Sequence, residues 1–404
     1  MEDDCEWAWL PKDLLHSILD QLQPMEDVIR FSAVCTEWRS VAVENFESRS
    51  LHRRQVPFLM SRTKDNIGNL HSVTQKKMYK FRFPMPDNMK CCGSSLGWLI
   101  MLDVTMDVIL FNPFSGNTIT FPPIRRLVFE KRYALEFDYI HGLSALKRYE
   151  YEIRIREEYG EEELENRLAF VKSGDEDWTY IDNKTSGFDY LFKTSRGVKG
   201  FRYFEDILYW KSQFYAVDSF GKLLSCEINT NFTNLRVKIV DVPKRGIGAD
   251  PISTSTSFQE VVQSLRREVQ SPFFEGNISV WSAFLVESVE GDLLWVPKFR
   301  SNFLTRKFSV YKLVDNGGNV GWVEKEDLGD AALFLGDNHS ILVRCQPNSI
   351  YFVDKEDETV WCYPGYPFDM GVYNLEHKAV ARDYQLNPSQ RLNPPPIWIL
   401  PTFM

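Results

Sequence analysis

No C-x-x-C pair occurs among the seven cysteines, Cys5, Cys35, Cys91, Cys92, Cys226, Cys345 and Cys362. An odd count without paired spacing argues against a disulfide framework and a zinc ribbon, and fits reduced thiols in the nucleus or cytoplasm. Long apolar runs are missing too, since none approaches the roughly 18 residues of a membrane span. The first residues, Met1 to Trp7, are acidic where a signal or transit peptide needs Lys or Arg. Basic excess is also absent: 47 Lys and Arg meet 56 Asp and Glu, a formal charge of −9 at pH 7. No overall positive field draws the chain to nucleic acid or anionic lipid, so neither is expected as a partner.

Catalytic constellations are equally sparse. Gly317-Gly318 and Gly336 lack phosphate-loop spacing, there is no G-x-S-x-G, and the six histidines (His16, His52, His71, His141, His339, His377) are scattered without i,i+4 pairing. Asp330, Asp337 and His339 lie close in sequence, but Asp in a Gly-Asp turn between strands normally bonds its own backbone. Cys91-Cys92, with Lys90 beside them, have no neighbouring base and read as part of a strand. The expectation is a non-catalytic chain with no metal and no cofactor.

What the chain does contain is aromatic residues, 14% of 404, a bias toward half-buried pleated surfaces. Its length allows two or three domains. Between Trp9 and Val43 the apolar residues fall at helical steps. Leu14, Leu15, Ile18, Leu19 and Leu22 form one stripe behind Pro11, and Val28, Phe31, Val34, Cys35, Trp38 and Val41 form the next. The spacing predicts a helical hairpin or three-helix unit over residues 1–50, which holds eleven acidic residues against four basic ones. Residues 51–80 reverse the sign, with Arg53, Arg54, Arg62, Lys64, Lys76, Lys77 and Lys80 facing only Asp65, and read as a solvated basic linker.

From residue 81 to 404 short aromatic and β-branched runs are cut by Gly, Asp and Asn turns: Trp98 to Leu102 then Val108 to Phe111, Leu208 to Trp210 then Phe214 to Asp218, Phe284 to Glu287 then Asp292 to Val296. About 320 residues at roughly 40–50 per unit predict six or seven four-stranded blades of a mainly antiparallel β-propeller. Asn393-Pro394-Pro395-Pro396 reads as a stiff spacer that returns Ile397-Trp398-Ile399-Leu400 as the strand closing the ring. A helix inserted over 251–271 is predicted by the capping pair Ser257 and Glu260 and the apolar face of Phe258, Val261, Val262, Leu265 and Val269. The fold expected overall is α+β multidomain: a small helical module, then an all-β domain.

Leu10-Pro11, the Leu/Ile stripe, Val34-Cys35 and Trp38-Arg39 together resemble an F-box, in order and in spacing. That resemblance implies docking on a Skp1-type adaptor through Leu10, Pro11, Leu14, Leu15, Ile18, Leu19, Leu22, Val28, Phe31, Val34, Cys35 and Trp38, and through the adaptor to a cullin-RING ligase. The remainder resembles the propeller of a large plant F-box family, kinase-interacting in some members. The block from Leu328 to Ser340 with Asn348-Ser349-Ile350-Tyr351-Phe352 carries it best, with Met370-Gly371-Val372-Tyr373 and Pro396-Ile397-Trp398 in agreement. The implied function is the substrate-recognition subunit of an SCF-type E3 ubiquitin ligase, whose propeller recruits a protein target of unknown identity for ubiquitination. The alternative is a non-degradative scaffold whose propeller binds a protein or glycan.

Overall fold

Three helices follow a 3-10 turn at Glu6–Trp9: α1 (Lys12–Gln21), α2 (Met25–Ser32) and α3 (Thr36–Glu47). The structure, a computed structural model, describes residues 6–22, 25–47, 55–62, 67–73, 76–82, 89–102, 107–123, 169–171, 174–180, 191–193, 199–201, 204–218, 223–228, 235–240, 279–301, 304–315, 320–336, 340–353, 369–382 and 396–401. Pro11 stands just ahead of α1, and its carbonyl accepts from the N–H groups of Leu14 and Leu15 at 3.0 and 3.1 Å, which starts the helix. Leu15, Leu19, Val28, Phe31, Trp38, Val41 and Ala42 make one core from all three helices.

The strands run in chain order as antiparallel hairpins. β1 (Phe58–Arg62), β2 (Ile67–Ser72) and β3 (Met78–Arg82) are followed by β4 (Lys90–Ser95), β5 (Trp98–Leu102), β6 (Val108–Phe111) and β7 (Thr118–Phe121). Two short ribbons come next, β8 (Ala169–Phe170) with β9 (Thr179–Tyr180), and β10 (Leu191–Lys193) with β11 (Lys199–Phe201). β12 (Phe204–Trp210), β13 (Gln213–Asp218), β14 (Leu223–Ile228) and β15 (Leu235–Val240) form a meander. A five-stranded sheet holds β16 (Ser279–Glu287), β17 (Leu293–Ser301), β18 (Leu304–Phe308), β19 (Tyr311–Asp315) and β20 (Val320–Glu324). The last elements are β21 (Ala331–Leu335), β22 (Ile341–Arg344), β23 (Ser349–Val353), β24 (Met370–Asn374), β25 (Ala379–Ala381) and β26 (Ile397–Ile399).

Among the described residues the sheets make a five-bladed propeller, not one of six or seven blades. Blade I is β26-β1-β2-β3, blade II β4 to β7, blade III β12 to β15, blade IV β16 to β20, and blade V β22-β21-β23-β24-β25. Even division by a 40–50-residue period overcounts, because blades IV and V take five strands each and the β8–β9 and β10–β11 ribbons are two-stranded. Apolar cores join the neighbours: blade I to II through Met60, Leu99 and Ile399, blade I to V through Leu59, Phe334 and Trp398, blade V to IV through Phe308 and Phe352, and blade IV to III through Trp295 and Leu208.

Residues 51–80, expected as a linker, instead carry β1, β2 and the start of β3. Lys80 lies exposed on β3, the outer strand of blade I, where a charged side chain blocks pairing with another chain. The returning C-terminal segment does close the ring, since β26 pairs antiparallel with β1 in the register Phe58↔Ile399, Leu59↔Trp398 and Met60↔Ile397. Ser94 on β4 donates its hydroxyl to the Trp398 carbonyl at 2.5 Å, tying blade II to the same strand. The helix expected over 251–271 lies outside the described residues.

Blade V departs from a plain meander. β21 and β23 pair in parallel, in the register Ala332↔Ser349 to Leu335↔Phe352, and both are buried along their whole length, as parallel strands usually are. On β24, Gly371 has no room for a side chain: a Cβ there would sit 2.6 Å from the Ala381 carbonyl oxygen.

At the β12–β13 hairpin Lys211 and Ser212 both have positive φ, 46° and 64°, a two-residue turn that usually takes Asn-Gly. Ser212→Gly should relieve that cost while keeping Lys211 over the Trp210 ring, 4.2 Å from its centroid. It is expected to stabilise the chain by about 1 kcal/mol, read as a higher denaturation midpoint.

Candidate functional site

The apolar surface of the helical module follows from the two rows on α1. Leu15 and Leu19 turn inward, 0% and 1% exposed. Pro11, Leu14, Ile18 and Leu22, at three- and four-residue steps, share the adjoining side and remain half-buried or exposed, Leu14 at 51%. Val34, at the α2–α3 turn, is 52% exposed, and Cys35 and Leu10 are half-buried. A module with its own complete core thus keeps a second apolar surface that no described part of it covers.

That surface is held in shape by polar contacts. The Trp38 indole packs on Phe31 at 4.5 Å between centroids, and its N–H donates to the Trp7 carbonyl at 3.0 Å, pinning the 3-10 turn to α3. Asn45 Nδ2 donates to the Val41 carbonyl at 2.9 Å and lies 2.6 Å from His16 Nδ1, joining α3 to α1. Lys12 and Glu44 pair at 3.0 Å on the outside, a contact that adds little stability because both are solvated. The Glu44 carboxyl is held below its usual range by hydrogen bonds from Lys12 and Ser40. Its own backbone N–H, with Cys35 and Thr36, does the same for Glu37 at the start of α3.

The structure divides the twelve residues expected to meet an adaptor. Leu15, Leu19, Val28, Phe31 and Trp38 are buried in the module's core, whereas Leu10, Pro11, Leu14, Ile18, Leu22, Val34 and Cys35 reach the surface. Two further residues were not singled out from the sequence: Trp7 and Trp9, on the 3-10 turn, are 63% and 83% exposed. The available signal was a pair of tryptophans two residues apart, immediately ahead of Leu10-Pro11, with nothing in the helical period to bury them.

Elsewhere the sequence candidates resolve as structure. Asp330 is a surface turn residue that pairs with Arg344 at 3.6 Å, and the adjacent turn is capped by the Asp327 carboxylate accepting from the Gly329 N–H at 3.1 Å. Asp337 and His339 lie outside the described residues. Cys91 is buried on β4, its thiol 3.5 Å from the Gly93 carbonyl. Among the described residues no three His, Cys, Asp or Glu side chains gather as a metal site would require.

With this module and ring in view, the model of the KIB1-4 β-propeller family matches residues 70–374, three quarters of the chain. The chain belongs to that family. An F-box-like family model matches residues 7–54, which contain the three helices. Among curated proteins, F-box protein SKIP23 of Arabidopsis thaliana is 26% identical over 98% of this chain and 95% of its own length. F-box protein At2g17036 of the same plant is 25% identical with the same coverage. The β-propeller domain of Myceliophteria thermophila Cps50 (Swd1) aligns over 80% of this chain and 82% of its own at 10% identity, but its TM-score of 0.30 carries no argument. The F-box-like match begins at Trp7, so in this KIB1-4 propeller protein it takes in the tryptophan turn as well as the helices.

Proposed function

We propose that this protein is the substrate-recognition subunit of an SCF-type E3 ubiquitin ligase. Its F-box-like module docks on a Skp1-type adaptor, and its propeller holds a protein target for ubiquitination. The observation that carries the reading is the second apolar surface of the module: Pro11, Leu14 and Val34 stand exposed, and Leu10, Ile18, Leu22 and Cys35 pack on the core only in part, although the three helices already share a closed core. Exposed apolar surfaces of that kind mark partner sites. The buried five act at one remove, setting the helix angles that present the other seven.

A receptor of this kind needs no catalytic group. It raises the effective concentration of target lysines near the carrier enzyme that the cullin arm brings. Its place of work is the nucleus or cytoplasm, where a reduced Cys35 is stable.

The test is co-purification of the full chain with a Skp1-type adaptor. A stoichiometric complex is expected, and replacing Leu10 and Pro11 by Ala should abolish it while the β signature in circular dichroism is retained. Failure of the wild-type chain to bind, where a known F-box protein binds, would overturn the proposal.

A further inference from the structure

We propose that the free edge of β7 in blade II takes up an extended segment of the target protein as an added strand, one with apolar residues at alternate positions and no proline. This deepens the reading of the propeller as the target-recruiting end and rests on it.

The outer strands of blades I, IV and V are guarded by charge. β3 exposes Lys80, β20 ends on the exposed Glu324, and the three-residue β25 lies between Lys378 and Arg382. Charges so placed keep a sheet edge from pairing with another chain. β7, Thr118-Ile119-Thr120-Phe121, carries none, and its residues are all β-branched or aromatic, the types that favour strands. Among the described residues it pairs with β6 alone.

The hairpin turn decides which backbone groups point outward. Asn112 is fully buried, its side-chain oxygen accepts from the N–H groups of Phe114 and Ser115 at 2.9 and 3.1 Å, and Gly116 closes the turn at φ 79°. The Asn112 N–H donates to the Asn117 carbonyl at 2.9 Å, in phase with the register Phe111↔Thr118. Hydrogen-bonded pairs alternate along an antiparallel ladder, so Leu110↔Ile119 and Val108↔Phe121 are the next pairs to exchange bonds. Thr118 and Thr120 therefore turn their N–H and C=O groups to the open side. Pro122 follows in the same phase, and its carbonyl accepts from the Trp178 indole N–H at 2.7 Å, so a donor from another segment already bonds this edge.

The two faces of the blade set the pattern of the ligand. Ile100↔Leu110↔Ile119 and Leu102↔Val108↔Phe121 are apolar rows across blade II, and Ile119 and Phe121 end them half-buried. Thr118 and Thr120 stand exposed on the opposite face. A strand added beside β7 meets the outward N–H and C=O groups of the two threonines with its own main chain, and every second side chain extends the apolar rows. Charge on those side chains gains nothing against Ile119 and Phe121, and proline is excluded because it has no N–H to donate.

A random heptapeptide phage library panned on the full chain tests this, with Thr120→Pro and Thr120→Lys as comparisons. The Thr120 N–H faces away from β6, so proline there breaks no bond of the ladder, and edge strands tolerate it. Lysine at the same exposed position supplies the guard that β7 lacks. Enrichment of proline-free peptides with alternate apolar residues is expected, and their synthetic forms should lose at least tenfold in affinity for both variants. N-methylation of every second peptide amide should abolish binding in one frame and leave it intact in the other, which docking through side chains alone would not do. No enrichment, equal affinity for the wild type and Thr120→Lys, or a dimer of the full chain that Thr120→Lys disperses would overturn the proposal, the last by giving the edge to a second copy. Adaptor binding measured on the same three proteins separates the readings: if it is absent from all three, the ligase role fails whatever the peptides do.

Discussion

Trp398→Ala is expected to destabilise the propeller by about 3–5 kcal/mol, the usual cost of emptying a buried aromatic site. Trp398 is fully buried, it meets Phe334 edge-on at 5.1 Å, and its indole N–H donates to the Leu335 carbonyl at 3.1 Å. Truncation leaves a cavity between blades I and V and an unsatisfied buried carbonyl, and both add to the lost transfer energy. The residue also sits on β26, which links the last blade of the chain to its first strand through β1. The loss should therefore appear as a lower and broader denaturation transition of the β domain, and Trp398→Phe, which keeps most of the volume, should recover more than half of it. A melting curve unchanged by Trp398→Ala would mean that this strand does not hold the ring.

The second large effect is expected at Asp369, where Asp369→Ala should cost about 3–5 kcal/mol. The carboxylate, 3% exposed, accepts from the backbone N–H and the hydroxyl of Thr305, each at 2.5 Å, and from Arg382 at 2.6 Å, with Arg300 Nε at 3.6 Å. These contacts fasten the start of β24 to the β17–β18 hairpin of the neighbouring blade. Removing the anion leaves the Arg300 guanidinium, 3% exposed, in low dielectric without that counter-charge. Arg382 is 29% exposed and its loss exposes the anion to water rather than burying a charge, so Arg382→Ala should cost clearly less. Equal melting shifts for the two variants would contradict this ordering.

Much of the architecture was legible because two periods dominate the sequence. Helical steps between Trp9 and Val43 give the three-helix module, and alternating aromatic runs such as Trp98 to Leu102 give half-buried strands with the burial pattern of β5. The return of Ile397 to Ile399 as a closing strand was legible too, as an apolar run behind a proline spacer. Blade number was not, because it depends on pairing: the parallel β21–β23 pair and the extra strand β18 leave no mark in spacing. The three strands β1 to β3 were hidden by charge, since basic residues such as Lys77 and Lys80 at an outer strand look the same in sequence as a solvated linker. On α1 the period places Leu14 and Leu15 in one stripe, but which faces inward is decided by the packing of Val41 and Ala42 from α3 against Leu15. Trp7 lies ahead of the helical period and Trp9 only at its start, so the spacing does not mark the exposed tryptophan turn.

The account stands most directly on the open face of the F-box-like module, and calorimetric titration of a Skp1-type adaptor into the full chain and into L14D/V34D measures it. Both residues are more than half exposed, so the variant keeps the melting temperature of the wild type. One-to-one binding by the wild type and a loss of about 100-fold in the variant, close to 2.7 kcal/mol, is the predicted result. Equal affinity for the two proteins, or no binding by either, would contradict it.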